Sequence, residues 1–417
     1  MKTLLQINSV ANCGSTGRIA EQIGHLAKAN GWRSVMAYGA PRYNNNSQLE
    51  TITCVTPFEE KINALKNRIF DNHGLTGASA TRRVVRQFEA LNPDIVHLHN
   101  IHGYHINYKV LFEYLQNSNC KVVWTMHDCW PFTGHCTYFD RVGCEKWKTQ
   151  CHNCEQKTKY PSSLLLDRST SNFKIKRELF TSLGDRLTLV PVSEWLAGLT
   201  RESFLKDTRI ICIHNGIDLN VFNPLEWNET VSILSKYNIN CSCLNGKKVL
   251  MGCASGWGKR KGYNDFIKLK EILPNDYIII MVGCSDKQVE ELSKRNIIGI
   301  KRTENTHDLS AFYSFADVFV NPTYEDNFPT TNLEALACGT PVVTYRTGGS
   351  PEAIDDDTGI VVEKGDLNVL AEACIQLATE SSNMSQACQQ RAERLYNKDE
   401  RFADYVTLYN HLLSNNK

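Results

Sequence analysis

The chain has 417 residues, 42% of them hydrophobic and 22% charged, with 46 Lys and Arg against 45 Asp and Glu for a formal net charge of +1. Such a balance excludes disordered, collagen-like and coiled-coil chains, and it lacks the broad basic surplus of a nucleic-acid binder, so no nucleic-acid partner is expected. The length fits two or three domains, and the 16 cysteines read as reduced thiols or metal ligands rather than the framework of a small disulfide protein.

The opening MKTLLQINSV carries one Lys and an apolar patch broken by Gln6 and Asn8, too short for a signal-peptide core. No apolar run is long enough for a membrane span. The expectation is a cytoplasmic protein, with peripheral attachment at the inner membrane face left open. Leu4–Asn8 reads as a buried strand, followed by a Gly-containing turn and a helix with Ile19, Ile23, Leu26 and Ala27 on one face. Ser34–Tyr38 is a strand, Thr81–Leu91 a helix stopped by Asn92-Pro93, and Ile95–His99 a strand. Val110–Leu115 is helical and Lys121–Thr125 extended; beyond an irregular Cys-rich stretch come the strand Leu187–Pro191, a helix capped at Ser193 and the strand Arg209–Ile213. A polar stretch follows Pro224, and the alternation then restarts. Lys248–Cys253, Tyr277–Val282, Asp317–Asn321 and Pro341–Thr344 are strands; Asn264–Leu273, His307–Phe315, Thr331–Cys338 and Arg391–Leu413 are helices.

Strands separated by helices imply right-handed crossovers and parallel sheets covered on both faces. The fold class is therefore α/β, with two Rossmann-like doubly wound domains and the cleft between them as the default site. The expected division is 1–224, with a Cys-rich insertion at about 129–160, a linker over 225–246, a second domain over 247–390 and a last helix over 391–417.

Three constellations carry chemistry. Cys13-Gly14-Ser15-Thr16-Gly17-Arg18 joins strand to helix, where small residues admit a ligand and free N–H groups suit an anion. By itself it is equally an ordinary tight turn. Gly258-Lys259-Arg260-Lys261-Gly262 sets three cations at the mouth of a helix, as a diphosphate clamp or a solvated basic loop. Asp326-Asn327-Phe328-Pro329-Thr330-Thr331 precedes Glu334 at another helix start. There Thr330 and Thr331 can cap the helix, its N–H groups can receive phosphate oxygens, and Glu334 can accept ribose hydroxyls. The alternative is a plain acidic helix start.

Asn215-Gly216-Ile217-Asp218, Lys261-Gly262, the acidic residues around Phe328, Ala337-Cys338-Gly339-Thr340-Pro341 and Gly348-Gly349-Ser350-Pro351-Glu352 occur in this order. Together they resemble the retaining glycosyltransferases of the GT-B fold, family 4, over nearly the whole chain. The resemblance implies a hexosyltransferase with a nucleoside-diphosphate-sugar donor (GDP- or UDP-linked) on the second domain and a glycan or lipid-linked glycan acceptor on the first. It implies no divalent metal for transfer, a last helix that returns to the first domain, and a setting in bacterial surface polysaccharide assembly. Lys261 then matches the lysine that stabilises the departing diphosphate, and Glu334 the glutamate that holds the ribose. Asp326 stands where the family has another glutamate, with Glu325 beside it as a substitute. Ser255 stands where the family has an arginine, which Arg260 would replace. Asn327, Phe328, Thr330 and Thr331 are carried with the donor loop, as are Gly14 and Gly17.

In the first domain His99-Asn100 and His127-Asp128 each end a strand, the place where a cleft would lie. His127 matches the family's histidine near the reactive centre of the donor sugar, and His99, Asn100 and Asp128 are candidates for the acceptor side. No nucleophile can be assigned, so a front-face route is favoured over a covalent carboxylate.

Cys129, Cys136, Cys144, Cys151 and Cys154 cluster after the His127 strand, and Cys136, Cys144, Cys151 and Cys154 could hold a structural Zn²⁺; free thiols, or an iron–sulfur site or redox pair, are the alternatives. Lys61–Arg86 mixes cations with Ile62, Leu65, Ile69 and Phe70 and could touch anionic lipid, or be a solvated helix pair. Two rivals to the transferase remain: a same-fold epimerase or phosphorylase, and a zinc-organised binding module without activity.

Overall fold

The computed structural model describes residues 1–244 and 246–414; Asn245 of the expected linker and residues 415–417 of the expected last helix lie outside the described residues. The chain forms two compact units, one of Met1–His214 with the segment from Arg401, the other of Asn215–Glu400.

The first unit is built on seven strands: β1 (Thr3–Ile7), β2 (Arg33–Tyr38), β3 (Glu50–Thr53), β4 (Ile95–Leu98), β5 (Lys121–Met126), β6 (Leu187–Pro191) and β7 (Arg209–Ile210). All pairs are parallel, in the order β3-β2-β1-β4-β5-β6-β7. Strands β1 and β4 are buried throughout, which is why they read as apolar runs rather than alternations. The edge strand β3 has only Ile52 partly covered, too little apolar signal to be read from sequence. One face packs on Phe402, Tyr405 and Tyr409 of the last helix, against Leu4, Ile95 and Val123.

The second unit has β8 (Lys248–Cys253), β9 (Tyr277–Val282), β10 (Ile297–Ile300), β11 (Val318–Asn321), β12 (Val342–Tyr345) and β13 (Gly359–Val362), in the order β10-β9-β8-β11-β12-β13. Its pairs are parallel too. In each sheet the winding reverses once, between β1 and β4 and between β8 and β11. Loops beyond the carboxyl ends of those strands are where a doubly wound sheet leaves room for a ligand.

Two expectations change. Residues 225–246 are not a plain linker: Trp227–Lys236 is a helix that buries Thr230, Ile233 and Leu234. Just beyond it Tyr237 donates to Asp308 Oδ2 at 2.6 Å, so the segment belongs to the second unit, which starts at Asn215. The last helix is also not continuous. Leu367–Tyr396 and Lys398–Ser414 are separated at Asn397, whose backbone bridges to Ile217. Gly216 is required there, since a Cβ on it would lie 2.5 Å from Lys398 Cα. No described helix is long and apolar enough to cross a membrane.

Candidate active site

In the second unit the loops leaving β8 and β11 are bonded to each other. The first passes through a short turn at Lys259–Lys261 and enters the helix Tyr263–Ile272 at Gly262. Gly262 has φ +74° and its Cα faces the Pro322 carbonyl, where a Cβ would come within 2.4 Å, so only glycine lets these loops approach. Across that approach Lys261 Nζ donates to Asp326 Oδ2 at 2.5 Å, and Arg260 donates to the Glu325 carbonyl at 2.7 Å. Burial alone would raise the Asp326 carboxyl, but Lys261, its hydrogen bond and nearby Arg260 outweigh it and hold the group below the usual carboxylate range. Asp326 is thus an anion, and the Lys261 ammonium is fixed by it.

A second tie holds the acidic loop from behind. Gly349 N–H donates to the Asn327 carbonyl at 2.7 Å, and Gly348, at φ +53°, packs so closely that a Cβ would lie 2.0 Å from Asp326 O. Asn215 Nδ2 reaches the Phe328 carbonyl at 3.2 Å, and the buried Phe328 ring packs on Tyr396 at 5.8 Å. Phe328 and Asn327 are therefore buried parts of the loop's foundation, with Asn327 only 3% exposed.

The helix Thr330–Ala337 starts at Pro329 with no side-chain cap. The expected capping by Thr330 and Thr331 does not occur: Thr330 Oγ1 turns to Glu334 Oε1 at 3.3 Å, and both threonines are half-buried. An uncapped helix start of this kind is a favourable end for an anion. Glu334 lies in the second turn, not the first, and its other oxygen accepts from Tyr313 Oη at 2.8 Å. Beneath this helix runs a buried chain that sequence reading missed. Asn321 donates to Asn332 Oδ1 at 2.8 Å, Asn332 donates to Ser350 Oγ at 2.8 Å, and Ser350 meets Thr344 Oγ1 at 2.7 Å. It ties β11, β12 and the helix together, and its members gave no signal because buried amides look like loop residues until their partners are known.

In the first unit, residues after β1, β4 and β5 converge. His99 Nδ1 lies 3.3 Å from His127 Nε2, and His99 Nε2 lies 3.1 Å from Gln6 Oε1. Burial, with His97 and His127 nearby, drives His99 well below its ordinary pKa. Burial likewise lowers His127 to about 4, although Asp128 pulls the other way, so its imidazole is neutral near pH 7. Asp128 does not face His99; it accepts from His102 Nε2 at 2.9 Å and from Trp130 N–H at 2.9 Å, while His102 Nδ1 meets Tyr160 Oη at 3.1 Å. Asn100 is held by its N–H to Asn8 Oδ1 at 3.3 Å. Gly14 opens the helix Gly14–Ala29 at φ +63° with no side-chain cap, whereas Gly17 packs on Val10 and Asn12, so its small size serves the chain's own turn.

The cysteines gather after Asp128. Cys136, Cys144, Cys151 and Cys154 line one small cavity with Phe139 and Trp147, and Cys151 Sγ accepts from Gly134 N–H at 3.2 Å. The buried Lys176, unnoticed in the sequence, donates to the carbonyls of Trp130 and Thr133 at 2.7 and 3.0 Å. Among the described residues no three or more His, Cys, Asp or Glu side chains are grouped to hold a metal ion as they stand.

Comparison with known proteins agrees with this geometry. Residues 17–221 match the family model "Glycosyltransferase Family 4" and residues 247–380 the model "Glycosyl transferases group 1". The WcaC glycosyl transferase of Escherichia coli K12, whose name assigns it provisionally to colanic acid biosynthesis, is 22% identical over 98% of this chain and 100% of its own. A glycosyltransferase from Rickettsia africae superposes with TM-score 0.71 at 15% identity, covering 99% of each chain. Anabaena HepE in complex with UDP-glucose superposes with TM-score 0.66 at 13% identity, over 98% of this chain and 100% of its own. With one family model on each half, the chain belongs to the family 4, group 1 glycosyltransferases of the GT-B fold.

Proposed function

We propose that this glycosyltransferase is a retaining enzyme that moves a sugar from a UDP- or GDP-linked donor to a glycan or lipid-linked glycan in cell-surface polysaccharide assembly. The Lys261–Asp326 pair carries the reading, because it fixes a cation beside an uncapped helix start where a diphosphate would gather charge. The relative named for colanic acid biosynthesis and the neighbour bound to UDP-glucose support the setting and the donor class.

The Lys261 ammonium and the first N–H groups of Thr330–Ala337 would take diphosphate oxygens. Glu334, which accepts from Tyr313 and Thr330 at this helix, would receive ribose hydroxyls. As the bond from the anomeric carbon to the diphosphate breaks, the acceptor oxygen enters from the same face and passes its proton to the departing phosphate. Neutral His127, oriented by His99, would hydrogen-bond the sugar without adding charge. Arg260, with one N–H spent on Glu325, would supply the guanidinium that Ser255 lacks.

The zinc expectation becomes a separate proposal. The cavity shared by the four thiols and the N–H bond to Cys151 support it, while the lack of a converged ligand group weighs against it.

Mass-spectrometric release of UDP or GDP over a panel of donors, with and without lipid-linked glycan, tests the function. Lys261→Ala is expected to lower turnover by about 10²–10³. Near-normal turnover would overturn the clamp, and near-normal turnover of Arg260→Ala would end the compensation by that residue.

A further inference from the structure

The helix Pro57–Phe70 is inside out. Its buried residues are Glu60, Asn63 and Asn67, all polar. Each has a partner below: Glu60 pairs with Arg42 at 2.7 Å, Asn63 donates to the Tyr104 carbonyl at 2.9 Å, and Asn67 donates to Thr76 Oγ1 at 3.4 Å. Its solvent side carries Phe58, Ile62 and Leu65 at the i, i+4, i+7 spacing of one helical face, with Phe58 72% exposed. The neighbouring helix Ala78–Leu91 has the ordinary sense, burying Val84, Val85 and Phe88.

A second segment extends the apolar side. Leu164 N–H donates to the Arg68 carbonyl at 2.7 Å and Leu166 N–H to the Ile69 carbonyl at 3.3 Å, which fixes this strand of chain along the helix end. Three consecutive leucines, Leu164, Leu165 and Leu166, stand exposed there, Leu165 by 66%. Most of the large exposed apolar side chains of the described residues thus belong to two segments bonded to each other. Single exposed leucines need no explanation, but a clustered apolar surface marks an interaction site.

Charge selects the partner. Lys61, Lys66, Arg68 and Lys159 are exposed on the same two segments. The acidic residues of the helix are spent: Glu59 pairs with Arg83 at 3.0 Å and Glu60 with Arg42. An apolar face rimmed by free cations complements the interface of an anionic bilayer, where side chains sink into the acyl boundary and ammonium groups meet headgroup phosphates.

We propose that Phe58, Ile62, Leu65 and Leu164–Leu166 form a docking surface for an anionic lipid membrane. This shifts the contact expected over 61–86: the Ala78–Leu91 part turns Val84, Val85 and Phe88 inward and shows solvent a mainly polar side that includes Arg82, Arg83, Arg86, Gln87 and Glu89. The surface rests on exposure and charge alone, independent of the transfer reaction.

Vesicle flotation tests it, reading binding rather than turnover, so its failure leaves the glycosyltransferase reading intact. The full chain is expected to float with vesicles of phosphatidylcholine containing about one third phosphatidylglycerol, and to bind pure phosphatidylcholine far less. Phe58→Ser with Leu65→Ser, and separately Leu164→Ser with Leu165→Ser, should each weaken binding by roughly tenfold or more. Lys61→Glu with Lys66→Glu should abolish the preference for anionic lipid. These side chains are exposed, so unchanged thermal unfolding shows that the variants fold. No binding to anionic vesicles, or equal binding by the serine variants, overturns the proposal. So does a dimer in light scattering that the Phe58 and Leu65 substitutions split, because a second copy would then be the occupant.

Discussion

Acid should unlock the histidine stack of the first unit, and the size of the effect follows from its packing. His97 is fully buried, with Nε2 2.7 Å from Thr125 Oγ1 and Nδ1 2.6 Å from Tyr409 Oη. Thr125 donates onward to Tyr405, so its oxygen accepts from His97 Nε2–H, and Tyr409 donates to Nδ1. In this neutral tautomer both ring nitrogens are satisfied. The His99 ring lies 4.1 Å from His97 and 5.6 Å from His127, so a second charge would meet the first. Burial, aided by His127, lowers His97 to about 3, and burial lowers His127 to about 4, from 6.5. For a histidine whose folded pKa is depressed, the unfolded chain binds more protons, so stability is full above the unfolded pKa and is lost as pH falls below it. Going from about pH 7.5 to about pH 5.5 should cost about 1.4 kcal/mol through His97, and up to the same again through the half-buried His127. Urea unfolding followed by the fluorescence of buried Trp124 and Trp130 at the two pH values measures the drop. His97→Gln, which keeps one donor and one acceptor, should shrink that drop by about 1.4 kcal/mol whatever it does to absolute stability. An undiminished drop in that variant would refute the reasoning.

Three further outcomes are expected. Gly348→Ala, which forces a left-handed backbone and a Cβ 2.0 Å from Asp326 O, should lower Tm by several degrees and reduce donor binding, read by thermal unfolding with and without UDP. Lys176→Met leaves the carbonyls of Trp130 and Thr133 without their donor and should cost about 2–4 kcal/mol in urea unfolding. Burial already lowers the Lys176 ammonium to about 7, so between about pH 7 and the ordinary lysine range the unfolded chain binds more protons and stability through this group should rise with pH. Metal analysis of chain purified without chelator should find one zinc per chain, removed together with stability by a strong chelator; far less than one would leave four free thiols.

The sequence showed most where a residue's signal is local. Strands buried on both faces read as apolar runs; His99 and His127 could be placed because each directly follows a strand, and Lys261 and Asp326 because they stand in loop motifs that resemble the family's. Glycines were legible as a type but not in their reason: Gly17 serves its own turn, while Gly262 and Gly348 serve a neighbouring loop. Residues whose meaning depends on a distant partner stayed silent. Lys176 is an ordinary helix lysine until Trp130 and Thr133 close over it, and Asn332 an ordinary amide until Asn321 and Ser350 take its hydrogen bonds.

The helix Pro57–Phe70 marks the limit most clearly. Its periodicity separates an apolar stripe from a polar one, and nothing in that pattern says which stripe faces inward. The hydrophobic effect alone would bury Phe58, Ile62 and Leu65. What reverses it is a set of polar partners supplied from elsewhere: Arg42 for Glu60, the Tyr104 carbonyl for Asn63 and Thr76 for Asn67. Each of these buried groups would cost on the order of 1–3 kcal/mol if left unpaired, so once the partners are in place the polar face holds the interior. The apolar face must then find its cover outside the chain, and the free lysines at its rim fit that cover to an anionic surface.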